Sequence, residues 1–361
     1  MKNAFGIILL LSFFTVLLTS CSEDDPQPVP TEPAVSYIIN YGDYLGAKST
    51  ITAFDKETGT ITNNYYENVN GVALVSNIQH AFSYDGNIFM LGNNPDKLFW
   101  VDGETFEQHE NGISNDIVKP RFGVASGNYL YISCWGGDIW DDESVSYIAK
   151  VNLESKSVEE KISLPGGPEG LAVANNKLYA ALNYKDSVAV IDLNTEEISY
   201  IKTPAVTSYF AKDMSDYLYV SLVSTYSDYS ENTGLAYINT SSDELEATYT
   251  LDGVSTSYVN ILAPDFDFGK LYVMTSAYDA DWNLNGAIAV FDVATRSFEP
   301  DFLVEDISGA NGIATYNNQV FSFIAESVTA NGSVKTYQSD GTFVRKFETG
   351  KAPFLLLTAE E

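Results

Sequence analysis

Short apolar runs rich in β-branched and aromatic residues, separated by polar turns, fill the chain from about residue 36 to its end. The clearest stretch reads as a strand from Gly170 to Ala174, a turn at Asn175 and Asn176, and a second strand from Lys177 to Leu182. A third strand follows at Ser187 to Asp192. A turn over Leu193 to Glu197 then leads to a fourth strand from Ile198 to Ile201.

This four-strand unit recurs. Its third strand ends on a polar residue that opens a turn, at Asp55, Asp102, Asn152, Asp192, Asn239, Asp292 and Gln338. Successive members lie 47, 50, 40, 47, 53 and 46 residues apart. The second strand repeats an apolar–aromatic pair: Ile88-Phe89, Leu130-Tyr131, Leu178-Tyr179, Leu218-Tyr219, Leu271-Tyr272 and Val320-Phe321. A period of about 40 to 50 residues with four strands per unit marks a propeller blade. The Asp or Asn caps its turn by accepting from backbone two residues on.

The first unit lacks its opening strand, because Tyr37 to Asn40 already matches the second strand of the others. The missing strand stands at the far end, Ala352 to Thr358. The predicted fold is therefore all-β: a seven-bladed β-propeller with four antiparallel strands per blade, one blade being closed by the N- and C-terminal strands. Closure removes the free edges that invite aggregation.

The first residues carry a different pattern. Lys2 precedes an apolar run from Ile7 to Leu18, broken only by Ser12 and Thr15, which is short for a membrane span and suits a signal peptide. Leu18-Thr19-Ser20-Cys21 resembles the bacterial lipobox, in which the cysteine is diacylated and becomes the new N-terminus. Ser22-Glu23-Asp24-Asp25 resembles the surface-export signal of Bacteroidota lipoproteins. Pro26, Pro28, Pro30 and Pro33 then favour an extended tether. The expected organisation is a lipoprotein signal peptide over 1–20, a lipidated Cys21 with an acidic, proline-rich tether over 21–35, and the propeller over 36–361. The expected location is the outer membrane, held by the lipid anchor alone and facing the cell exterior.

Charge narrows the partners. The chain has 49 acidic and 19 basic residues and a net charge of −30, which repels nucleic acid and suits cationic or neutral ligands. With Cys21 lipidated, Cys134 has no disulfide partner and reads as a small buried residue. A monomeric domain is expected.

Aligning the blades brings one residue from each to the mouth of the axial channel: Gln79, Arg121, Glu169, Tyr209, Tyr258, Asn311 and Phe354. Amide, guanidinium, carboxylate and aromatic groups in one ring suit a large, partly polar ligand. Arg121 and Glu169, on neighbouring blades, read as a salt bridge or as an acid–cation pair. His80 follows Gln79 and reads as a lone ligand or as an ordinary strand histidine. On the same face, the loops between second and third strands are unequal. Those at Asn93 to Lys97 and Asn183 to Asp186 are short. Three others are long and carry Trp135 and Trp140, Tyr226 and Tyr229, and Tyr278 and Trp282. Such side chains either anchor a ligand or fold down over the blade ends.

The blade grammar over residues 36 to 361 resembles that of the YncE-like seven-bladed propellers. With Cys21 and Ser22 to Asp25 it resembles the Bacteroidota surface lipoproteins of this class. That resemblance implies a surface protein that captures a nutrient for an outer-membrane TonB-dependent transporter, with cobalamin or a related corrinoid as the ligand. No resident cofactor is implied. The alternatives are a lactonase- or lyase-like propeller enzyme and an adhesion platform. Against an enzyme, the chain has only His80 and His109, with no paired histidines and no Gly-x-Ser-x-Gly elbow. Asp138, Asp141, Asp142 and Glu143 in one loop, and Asp279 and Asp281 in another, leave structural calcium open, although no EF-hand spacing is present.

Overall fold

The computed structural model describes residues 34–43, 46–109, 112–225, 229–255, 260–278, 284–327 and 329–358. They form seven antiparallel sheets. The innermost strands are Pro353–Thr358, Asn77–Tyr84, Pro120–Ser126, Pro168–Ala174, Thr207–Lys212, Leu262–Asp265 and Ala310–Tyr316. Each touches the next in that order, and the last touches the first, so the ring is closed. The seven-bladed propeller expected from the repeat is the observed fold.

Closure is made as the pattern predicts. Pro353–Thr358 pairs antiparallel with Val35–Asn40, setting Tyr37 opposite Leu357 and Ile39 opposite Leu355. Ile38 and Ile39 are fully buried, and Phe354, Leu355 and Leu357 nearly so. Burying one such side chain is worth roughly 1.5–3 kcal/mol, so these residues hold the seam by packing as well as by pairing.

Burial peaks at the second strands and falls toward the outer edge of each blade. The second strand Lys177–Leu182 is buried on both faces, because each sheet is sandwiched between neighbouring blades. The outermost strand Glu244–Thr250 alternates exposed and half-buried positions. The repeated second-strand aromatics fill the gaps between blades. Tyr179, Tyr219, Tyr272 and Phe321 are among the largest fully buried side chains. Tyr179 also ties its blade to the next one, its hydroxyl donating to the Thr240 carbonyl at 3.1 Å and the Asp243 carboxylate at 2.6 Å.

The turn markers act as expected. Oδ1 of Asp55 accepts from the N–H groups of Glu57 and Thr58 at 2.9 and 3.0 Å, and Oδ1 of Asp192 accepts from those of Asn194 and Thr195 at 2.8 and 3.0 Å. Asn152 and Asn239 make the same bonds with a neutral amide oxygen. Gln338 departs from the pattern, and Asp340 accepts from Thr342 N–H instead. Backbone hydrogen bonds lower the pKa values of Asp55, Asp102, Asp192 and Asp292 below the ordinary 3.8.

Two blades deviate at the rim. The second blade has three regular strands, and its outer segment touches the sheet only through the pairs Leu98–Ile113 and Val101–Gln108. A short helix absent from the sequence reading, Tyr65–Asn70, accounts for this in part. Its Asn70 side chain donates to the Phe106 carbonyl at 3.1 Å and accepts the Gln108 N–H at 2.7 Å. The start of the outer segment is thereby tied to the helix. In the sixth blade the outer edge is split into Ser297–Phe298 and Val304–Ser308, both paired to Leu284–Asp292.

Two outcomes are expected. Deleting residues 353–358 together with the last three should expose the Val35–Asn40 edge and give aggregated protein in size-exclusion chromatography; removal of the last three alone should leave a monomer. Changing Asp55, Asp102, Asp192 and Asp292 together to Asn should preserve the fold at neutral pH, as Asn152 and Asn239 do in the native chain. A depressed carboxylate contributes stability that is present above its unfolded value of 3.8 and lost as pH falls through its folded value. The quadruple variant should therefore lose less stability than the native chain on acidification below about pH 4, as read by urea unfolding.

Candidate functional site

The predicted ring is produced by one repeated irregularity. Along the innermost strands the pairing register jumps between Ile78 and His80, Pro120 and Phe122, Pro168 and Leu171, Thr207 and Phe210, and Ala310 and Ile313. In the closing blade it jumps past Phe354, since Ile39 faces Leu355 and Asn40 faces Pro353. Gln79, Arg121 and Phe354 are thus the single unpaired residues of their bulges, and Glu169, Tyr209 and Asn311 are each one of two residues that the pairing skips in theirs. A bulge breaks the strict alternation of a strand and re-aims a side chain. Tyr258, the seventh member expected, lies outside the described residues.

Serines on the second strands occupy the freed backbone groups. Phe122 N–H donates to Ser133 Oγ at 3.0 Å and Tyr209 N–H to Ser221 Oγ at 2.9 Å. Close approach at the axis also demands glycine. A Cβ on Gly170 would lie 2.4 Å from the Ser208 carbonyl oxygen, and one on Gly312, at φ +134°, would lie 2.5 Å from that of Phe354.

Three ring members form one network. Arg121 donates through Nε to both Glu169 carboxylate oxygens at 3.0 Å, and through Nη2 to Oε1 at 2.7 Å. Its Nη1 donates to Gln79 Oε1 at 2.6 Å, and its guanidinium stacks 4.5 Å from the Trp135 ring centre. Arg121 is 8% exposed and Glu169 2%. The carboxylate is held in a salt bridge, the first of the two roles the sequence suggested for the pair.

Beside this network opens a cleft of about 580 Å³. Tyr41 and Phe354, in edge contact at 6.5 Å, form one aromatic side. Trp135 and Trp140, perpendicular at 5.7 Å, form another. Ile78, Gln79, Asn93, Asn94 and Asp96 line the cleft from the second blade, and Asn311 reaches it from the seventh. The cleft straddles the blade with the short Asn93-to-Lys97 loop, between the longer Tyr41-to-Ser49 and Trp135-to-Ser146 connections. A short loop between long ones leaves a notch. Lys119 adds a cation, its backbone N–H donating to Asp96 Oδ2 at 2.9 Å and its Nζ 5.8 Å from the Trp140 ring.

The predicted residues divide accordingly. Gln79, Arg121, Asn311, Phe354, Trp135 and Trp140 share the cleft. Glu169 stands behind Arg121, and Tyr209 packs toward the axis with Phe122 at 6.2 Å. Trp135 is buried and forms part of the wall, whereas Trp140 is 61% exposed at the rim. Tyr229 is 81% exposed and does not border the cleft. Tyr226 and Trp282 lie outside the described residues, as do the Tyr278 side chain, Asp279, Asp281 and Cys21. Tyr41, Asn93, Asn94, Asp96 and Lys119 were not among the expected site residues; the short Asn93-to-Lys97 loop beside longer ones was the signal that could have found its three.

His80 is not a cleft residue. Its ring stacks on Phe122 with centres 3.6 Å apart, and its Nδ1 accepts the Gly123 N–H at 3.3 Å. Desolvation lowers its pKa to about 3. The Cys134 thiol is buried and its pKa is pushed up to about 12 by desolvation, so the thiolate is suppressed. His109 borders a separate cavity of about 320 Å³ beside Trp100 and Lys156. Among the described residues, no three His, Cys, Asp or Glu side chains gather closely enough to hold a metal ion. The described residues of the cleft include no histidine, serine or cysteine.

The cleft also has a fixed orientation. Ala34 meets the sheet at the Asp55 turn, where its carbonyl accepts the Lys56 N–H at 2.9 Å. The strand Val35–Asn40 then crosses the blade, and Tyr41 at its far end lines the cleft. The described chain therefore enters on the face opposite the cleft.

No protein-family model matches the chain, and no curated protein matches it. Solved propellers do. A protein provisionally assigned as a 6-phosphogluconolactonase from Bacteroides uniformis aligns over 90% of this chain and 99% of its own, at 10% identity and a TM-score of 0.65. A quinonprotein alcohol dehydrogenase-like protein from Bacteroides thetaiotaomicron aligns over 90% and 78%, at 14% identity and a TM-score of 0.65. AztD from Citrobacter koseri aligns over 90% and 97%, at 12% identity and a TM-score of 0.51. At these identities the likeness is one of fold.

Two tests follow from the geometry. Glu169→Gln removes the carboxylate paired with the buried Arg121 and should cost about 3 kcal/mol in denaturant unfolding. The double change Arg121→Met, Glu169→Leu should recover most of that loss; equal losses in both would show that the pair's charges are not what matters. For His80, a depressed folded pKa makes the folded state bind fewer protons than the unfolded one. Stability is then full above the unfolded value of 6.5 and falls as pH drops toward about 3. His80→Gln should flatten the stability profile across that interval, and histidine NMR of the native chain should show one ring that stays neutral at pH 5.

Proposed function

We propose that this chain is a ligand-binding propeller that holds a small, partly polar molecule in the notch over its second blade. The observation that carries this reading is the cleft itself: about 580 Å³, with aromatic side chains on two sides and carboxamides between them. Binding sites have volumes of about 300–1,000 Å³, mostly apolar walls and a few placed polar groups. Trp140 supports the same reading, since an indole 61% exposed at the cleft rim is a rigid, amphipathic contact surface of the kind favoured at binding sites.

The proposal extends to location. Cys21 carries the lipid anchor, residues 22–33 tether the propeller at the outer membrane, and the domain faces the cell exterior. The entry of the chain opposite the cleft supports this arrangement, because a tether on that side leaves the cleft open. The captured molecule is a nutrient passed to a TonB-dependent outer-membrane transporter. The resemblance to cobalamin-binding propeller lipoproteins makes a corrinoid the first nutrient to test. Its amide fringe matches the Gln79, Asn93, Asn94 and Asn311 side chains, although its bulk would leave much of it outside the cleft.

Native mass spectrometry after incubation with a small-molecule extract of the host tests the binding function. A retained adduct that is lost in Trp140→Ala and Asn311→Ala is expected; adducts equal in all three proteins would overturn the cleft as the site. Calorimetric titration with cobalamin and cobinamide addresses the nutrient. Heat at micromolar protein would support a corrinoid, and absence of heat with both would remove it.

A further inference from the structure

From the chemistry of its lining, and resting on the reading of the cleft as a ligand site, we infer that the cleft is built for an uncharged saccharide, one ring of which stacks on Trp140. Three independent features of the lining lead there.

The first is charge. Arg121 is neutralised by Glu169 through three hydrogen bonds, with both side chains buried. Lys119 and Asp96 contribute one charge of each sign, and the Lys119 backbone N–H already donates to the Asp96 carboxylate at 2.9 Å. These four groups sum to zero. An ionic ligand entering the cleft would lose hydration and meet further opposite charge only at Lys48, whose Nζ already donates to the Asn94 carbonyl at 2.7 Å, a cost that a neutral molecule escapes.

The second feature is the type of polar group. Gln79, Asn93, Asn94 and Asn311 are all carboxamides, each with donors and an acceptor on one plane. The protein uses part of this capacity itself. Gln79 Oε1 accepts from Arg121, which directs its amide nitrogen to donate elsewhere. Asn311 Nδ2 donates to the Pro353 carbonyl at 2.8 Å, which leaves its oxygen to accept. Donors from one wall and acceptors from another match hydroxyl groups, which do both. A ligand with acceptors alone would leave the Asn311 oxygen unmatched, a loss that desolvation makes costly.

The third feature is the platform. Trp140 presents an exposed indole, set perpendicular to the buried Trp135 at 5.7 Å. A pyranose ring has an apolar C–H face for such a surface and a rim of hydroxyls for the amides beside it. A flat aromatic molecule would satisfy the indole and leave the amides unserved.

The test uses a panel of immobilised oligosaccharides: neutral gluco-, manno-, galacto- and xylo-oligomers, with uronic-acid and sulfated oligomers as charged counterparts. Positive members are then titrated in solution by tryptophan fluorescence, alongside cobinamide. The inference expects a neutral oligomer to bind, with an affinity nearly unchanged between low and high salt, since no ion pair forms. Trp140→Ala should weaken it roughly 10-fold or more, and Trp140→Phe should retain part of the affinity. Circular dichroism should show all three proteins equally folded, because Trp140 lies at the surface.

A charged oligomer as the preferred ligand, with affinity falling steeply in salt, would overturn the inference. So would cobinamide binding that depends on Trp140 while no saccharide binds; in that case the cleft would remain a ligand site. Saccharide binding unaffected by Trp140→Ala and Asn311→Ala would remove the saccharide assignment to this cleft, and the cleft reading would then rest on the adduct experiment alone.

Discussion

The pairing of Val35–Asn40 with Pro353–Thr358 is the interaction on which this molecule depends. A sheet in a propeller is buried on both faces only because a neighbour stands on each side, so an open ring would expose two apolar faces. With the seam made, every second strand is sandwiched, and the repeated Tyr and Phe of those strands become inter-blade core. The seam also fixes the site. Phe354 belongs to the closing strand, and Tyr41 follows the strand it pairs with. One aromatic side of the cleft exists only when the two ends of the chain meet.

Closing seven sheets around one axis imposes a second constraint. Inner strands converge at the channel and cannot all keep regular alternation. The chain resolves the crowding with a bulge in at least six of them and with glycine where backbones approach within contact distance. The same irregularities that relieve crowding aim Gln79, Arg121, Glu169 and Asn311 toward the axis. Packing and site construction are therefore one event in this fold, and Ser133 and Ser221 compensate the backbone groups that it disturbs.

Charge is distributed with similar economy. The chain carries a net −30, and many of its acids cap turns on the face where the described chain enters. There they accept backbone N–H groups and remain in water, which explains why so acidic a surface is compatible with a stable fold. Around the cleft the balance is different. Its buried carboxylate is matched to a buried guanidinium, and among the described lining residues amides outnumber acids.

Blade number, strand order, the terminal seam and six of the seven inner-strand positions at the channel mouth were legible in the amino-acid sequence. Each follows from a local pattern repeated seven times, and repetition makes a weak local signal strong. The Asp and Asn turn markers needed only their own neighbours to act, and the seam followed from counting strands. The cleft was not legible in the same way. It arises from residues far apart in the chain, Tyr41, Asp96, Lys119, Trp140 and Asn311, and from the relative lengths of loops on adjacent blades. Sequence also gave Trp135 and Trp140 equal standing, yet one is wall and the other rim. Which of two neighbouring indoles is covered depends on what the blades beside it place there, and that is decided by tertiary packing.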